Sequence, residues 1–304
     1  MRWGDFRQSD NVEDRRGDGG GGFGGGGGFR GGGGMGRGGL GIGGLIIVGI
    51  IAWATGINPA VLIGGAEILL GDGSSPQQQQ QSAPQTKRAA PDDQLGKFAA
   101  TVLAQTEDVW TPIFKAQGQT YQQPGMVLFS GGTRSACGTA QSAMGPFYCP
   151  NDEKVYLDLS FFQEMKTRFK APGDFAAAYV IAHEVGHHVE NQMGILGKVQ
   201  AAQRQASKSE ANALSVRVEL MADCLAGVWA YHANEQWRIL EEGDVEEALN
   251  AASAIGDDRL QKQSQGYAVP DSFTHGTSAQ RSKWFRTGLT GGNMKQCNTF
   301  QGNI

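Results

Sequence analysis

The chain has 304 residues, a formal net charge of −4 and 47 glycines crowded toward its start, so the folded part is smaller than the chain. A slight acidic excess leaves no concentrated basic surface to displace counterions, which argues against a nucleic-acid partner. The four cysteines, Cys137, Cys149, Cys224 and Cys297, include no Cys-x-x-Cys pair, so neither a four-thiolate zinc site nor a dithiol redox motif is indicated; two disulfides in an oxidising compartment fit them, with four reduced thiols as the alternative.

Residues 1–39 mix charge with glycine, as in "GDGGGGFGGGGGFRGGGG", and offer little apolar surface to offset the entropy of ordering. They read as a disordered tail. Residues 40–57, "LGIGGLIIVGIIAWATGI", carry no charge, and with Gly38 and Gly39 they reach the roughly 20 residues a helix needs to cross a bilayer, with Trp53 near an interface. The expectation is a single transmembrane helix. Six arginines precede it, against Lys87 and Arg88 soon after, which puts the N-terminus in the cytoplasm and the rest of the chain outside the bacterial inner membrane. Residues 58–94 pass through Pro59 and a glutamine run and read as a flexible linker.

From Leu95 the composition is globular. Leu95, Phe98, Val102, Val109, Trp110 and Phe114 fall at helical spacing. "MVLF" (126–129) and "KVYLDL" (154–159) read as strands, and "CPND" after "GPFY" reads as a turn that makes a small hairpin. Helical patterns follow at about 160–170, 174–192, 209–234, 244–263 and 277–288, so residues 95–304 are expected to form one mainly helical α+β domain with a small β-sheet.

The chemistry starts in "YVIAHEVGHHVENQ". His183 and His187 are about 40° apart on a helix and about 6 Å along it, so both rings can reach one metal ion. Glu184 points beside that face, where it can take a proton from an attacking water without being a ligand. The helix is rich in apolar and small residues and follows Pro172-Gly173, with Asp174 as its expected cap. Buried histidines and a glutamate are costly without a metal, and Gly186 in the helix interior implies a close neighbour. His188 turns away from His187 and is read as a supporting or surface group, and His232 as structural.

Hydrolytic zinc needs a third protein ligand. Glu219 and Asp223, one turn apart in "VRVELMADCLAGVWA", lie among so many apolar residues that their helix should be buried; one carboxylate can bind metal while the other accepts the outer N–H of a ligating histidine.

Together with "CGTAQSAMGPFYCPNDEKVYLD", "AIGDDRLQ" and "FTHGTSAQRSKWF", these stretches resemble the neutral zinc metallopeptidase family of bacteria, which is similar to the gluzincins. The resemblance implies a zincin-like fold with an edge strand over the active-site helix, Zn2+ held by His183, His187 and Glu219, Glu184 as base, Asp223 orienting a histidine, and one N-terminal membrane helix.

His275 precedes a helix capped by Thr277 or Ser278 and is a candidate donor to a tetrahedral oxyanion, with Tyr148 and Tyr156 as rivals. Asp257 and Asp258 read as caps or ion-pair partners. The simplest disulfide pairing joins Cys137 to Cys149 across a short loop and Cys224 to Cys297. The expected function is hydrolysis of peptide bonds in a peptide or protein substrate by a membrane-anchored zinc peptidase. The alternatives are a non-catalytic zinc-binding envelope scaffold or chaperone-like module, and nucleic-acid association through the glycine-rich tail, which the charge balance disfavours.

Overall fold

The computed structural model describes residues 1–17 and 91–304. The first long helix, α1 (Gln94–Ala116), starts where Asp93 accepts the Gly96 amide at 3.0 Å, and it buries Phe98, Val102, Val109, Trp110 and Phe114 at the expected spacing. After it, β2 (Gly125–Phe129) leads to a two-stranded ribbon, β3 (Gly132–Ser135) and β4 (Gly138–Gln141). The strands β5 (Phe147–Cys149) and β6 (Lys154–Asp158) form the antiparallel hairpin expected around "CPND", and β6 lies parallel to β2. Within the sheet β6 lies between β2 and β5, and β5 is an edge strand.

The remaining strand corrects the expectation that residues 1–39 form a disordered tail. β1 (Val12–Asp14) pairs in parallel with β2, Val12 opposite Met126 and Asp14 opposite Leu128. Glu107, buried in α1, takes hydrogen bonds from Arg7 Nη2 at 2.9 Å, Ser9 Oγ at 2.5 Å and Asn11 Nδ2 at 2.8 Å, and Trp3 packs edge-on against Phe98. The charges that read as solvated are paired in place: Arg15 with Glu13, and Arg16 with both Asp14 and Asp93. Residues 1–17 and 91–304 are one body. The span expected at 40–57, the tail from residue 18 and the linker up to residue 90 lie outside the described residues. Among the described residues no helix is long and apolar enough to cross a membrane.

Seven helices follow the sheet among the described residues: α2 (Ser160–Thr167), α3 (Asp174–Gln192), α4 (Ile195–Gln203), α5 (Lys208–Trp237), α6 (Asp244–Ala254), α7 (Asp257–Gln265) and α8 (Ser278–Gly291). The single helix expected over 244–263 is two, because the chain turns at Gly256, whose α-carbon lies so close to the Ser278 backbone that a side chain would collide with it. Gly173, at φ 123°, and not Asp174, takes the cap position of α3; Asp174 accepts from Trp3 Nε1 instead. Both disulfides pair as expected, Cys137 with Cys149 and Cys224 with Cys297. The first ties the ribbon to edge strand β5, and the second ties the chain beyond α8 to α5.

Candidate metal centre

Helix α3 is buried from Phe175 to Glu190, which its alanines allow, since small side chains let neighbours approach on every side. Gly186 is where α5 comes closest: a Cβ there would lie 2.9 Å from the Ala222 carbonyl oxygen and 3.0 Å from its Cα. That contact accounts for a glycine that the helix alone does not explain, and it brings Glu219 and Asp223 of α5 against the histidines of α3.

Glu219 Oε2 lies 3.2 Å from His183 Nε2, and Glu219 Oε1 lies 3.7 Å from His187 Nε2. One ligand atom from each of His183, His187 and Glu219 falls within 4.8 Å of the others, and all three residues are buried. The outer nitrogens are engaged elsewhere: His183 Nδ1 donates to Asp223 Oδ1 at 2.9 Å and His187 Nδ1 to Glu190 Oε2 at 2.8 Å. Each ring is therefore held with Nε2 turned to the common point, the arrangement that metal-binding histidines require.

Burial works against charge on these groups. It pushes His187 down to about 4, so that ring is neutral and able to donate a lone pair. For His183 burial is outweighed by the Asp223 carboxylate and the contact with Glu219, which hold its pKa at about 10. Burial likewise raises Glu219, yet the charge of His275 and the hydrogen bond and charge of His183 carry it well below the usual carboxylate range. The ionised Glu219 and Asp223 favour a positive charge between the rings, and two histidines with a carboxylate are a donor set that fits a zinc ion.

Glu184 follows His183 in α3 and is buried with it. Burial pushes its pKa up to about 7, while the charge of His183 and a backbone hydrogen bond from Tyr148 on edge strand β5 oppose the rise. A carboxylate poised near neutrality is suited to taking and returning a proton.

The candidates for oxyanion donor separate. The Tyr148 hydroxyl is 2.9 Å from His188 Nδ1, and His188 Nε2 faces the Gln122 carbonyl at 2.6 Å, so Tyr148 donates to that ring; His188 is a fully buried brace between α3, β5 and the segment before β2. Tyr156 donates to Asp152 at 2.7 Å. His275 is buried, its Nδ1 is 3.0 Å from Asp257 Oδ1, and its Nε2 has no hydrogen-bond partner among the described residues. Thr274, its neighbour in the chain, lines one cleft together with Glu219. Asp257 also receives the backbone amides of Thr274, His275 and Gly276, so this one carboxylate fixes both loop and ring. His232 is structural, as expected, donating to the Gly292 carbonyl.

Two residues were missed. Glu190 was hidden because a glutamate near a helix end normally faces solvent; its i,i+3 spacing from His187 was the available signal. Arg281, also buried, gives Nε and Nη2 to the two oxygens of Asp223, each at 2.9 Å. Nothing near Arg281 in the sequence marked it. Despite burial, the guanidinium keeps Asp223 down at about 2, so Asp223 remains an anion able to hold His183.

A family model described as "Putative neutral zinc metallopeptidase" matches residues 1–300. The chain is 53% identical over 305 residues to an uncharacterized protein of Escherichia coli K12, YpfJ, covering 100% of both chains. It is 45% identical over 202 residues to the uncharacterized protein Mb2605 of Mycobacterium bovis, covering 63% of this chain and 66% of that one. No solved structure matches.

Proposed function

We propose that this chain, which belongs to the neutral zinc metallopeptidase family, hydrolyses peptide bonds in a gluzincin-like manner. The observation that carries the reading is the convergence of His183, His187 and Glu219 with Glu184 beside them. His183, His187 and Glu219 would hold the zinc. A bound zinc ion supplies a Lewis acid that polarises the peptide carbonyl and lowers the pKa of water. Glu184 takes the proton of the attacking water and returns it to the leaving amine. His275, steadied by Asp257, offers Nε2 to the oxyanion. Asp223 and Glu190 keep the two histidine rings turned inward, and Arg281 keeps Asp223 charged.

The position of edge strand β5 against Glu184 supports the zincin-like arrangement that the sequence implied. The two disulfides support an oxidising compartment for the body, and because β1 belongs to that body, residues 1–17 would share it.

The test separates binding from chemistry. Glu184→Gln should keep zinc and lose roughly 10²-fold or more in turnover, whereas Glu219→Gln should lose zinc and activity together. Zinc lost from the first variant and kept in the second would overturn both roles. One zinc per chain with no cleavage across a broad peptide library would favour a scaffold instead.

A further inference from the structure

Beside Glu219 a cleft of about 220 Å³ opens between the end of α3, helix α4, the first half of α5, the turn after β5 and the loop that carries His275. Its apolar lining comes from Leu196, Val199 and Val218, all buried. Amides and hydroxyls complete it, among them Asn191 and Gln200, and Glu219 is the sole ionisable residue of the lining. That carboxylate is already turned to His183 and His187.

We infer that this cleft is where a substrate side chain next to the scissile bond is read, and that it takes uncharged side chains, aliphatic or amide-bearing. This rests on the hydrolytic reading of the adjoining centre. A charged side chain entering the cleft sheds water and meets no free counter-charge, because Glu219 is engaged by the two histidines and the rest of the lining offers neutral dipoles. An acidic side chain also faces Glu219 at close range, so it ranks below a basic one. Leucine or glutamine leaves no charge uncompensated: the methyl groups meet Leu196, Val199 and Val218, and an amide meets the polar groups of Asn191 and Gln200.

The probes are two series of peptidyl hydroxamates, presenting Leu, Gln, Lys or Glu on either side of the metal-binding group, titrated against the zinc-loaded full chain. In one of the two series, Leu and Gln should bind about tenfold or more tighter than Glu, a difference of about 1.4 kcal/mol, with Lys between. Gln200→Lys, which leaves the centre untouched, should narrow the gap between Leu and Glu by about tenfold. Equal affinities through both series, no binding by any hydroxamate, or a gap indifferent to Gln200→Lys would each overturn the inference. Peptides bearing the same side chains are assayed in parallel. Hydroxamate selectivity without any peptide turnover keeps the cleft and sinks the hydrolytic reading; turnover blind to the side chain does the reverse.

Discussion

Glu190 Oε2 lies 2.8 Å from His187 Nδ1, one helical turn along α3, and the carboxyl group is wholly buried. Burial pushes the Glu190 pKa well above its ordinary value, so the contact orients the His187 ring more than it charges it. Removing the acceptor should therefore matter more than removing its charge. Glu190→Ala is expected to weaken zinc affinity about 10- to 100-fold, while Glu190→Gln, which keeps a carbonyl oxygen in place, should retain most of it. Competition with a chelator measures both, and equal losses would mean that charge, not geometry, is what Glu190 supplies.

His275 and Asp257 predict the opposite separation. His275→Ala removes a donor to the oxyanion but no ligand, so kcat should fall roughly 10² to 10³-fold with KM and zinc content little changed. Asp257→Asn keeps shape but weakens the hold on Nδ1, and a smaller fall in kcat is expected. Loss of zinc from His275→Ala would reassign it as a ligand.

Gly186 tests whether the two halves of the centre depend on close contact between α3 and α5. Alanine favours a helix by about 1 kcal/mol over glycine, but here its methyl group would sit 2.9 Å from the Ala222 carbonyl oxygen. Backbone cannot move aside as a flexible side chain does. Gly186→Ala should therefore destabilise by roughly 1 to 3 kcal/mol in denaturant titration and reduce zinc affinity by shifting Glu219. A variant more stable than the parent would show that the helices part without cost.

The pairing of β1 with β2 makes a topological prediction. Single cysteines placed at the exposed positions Asp10 and Lys208 should react alike with a membrane-impermeant maleimide in intact cells, since the four native cysteines are held in disulfides. Labelling of one and not the other would separate β1 from the body. Deleting residues 2–17 would strip buried Glu107 of Arg7, Ser9 and Asn11 and should cost roughly 3 to 5 kcal/mol.

Spacing along the chain determined what lies within one helix or one turn. The relation of His183, Glu184 and His187 follows from helical geometry alone, the Glu219 and Asp223 pair from the apolar residues around it, and the β5–β6 hairpin from a turn between two short runs. These are local facts, because the backbone period fixes which side chains share a face. Tertiary structure decided what each face meets. Only the packing of α3 on α5 sets Glu219 against both histidines, only α8 brings Arg281 to Asp223 from 58 residues away, and only β2 gives the charged, apolar-poor stretch around Val12 a partner. A parallel strand pairs with a neighbour more than a hundred residues distant, and a buried carboxylate finds its donors across elements. Neither leaves a periodic trace in the sequence, since the partner's position is set by how the elements pack and not by the spacing of residues along any one of them.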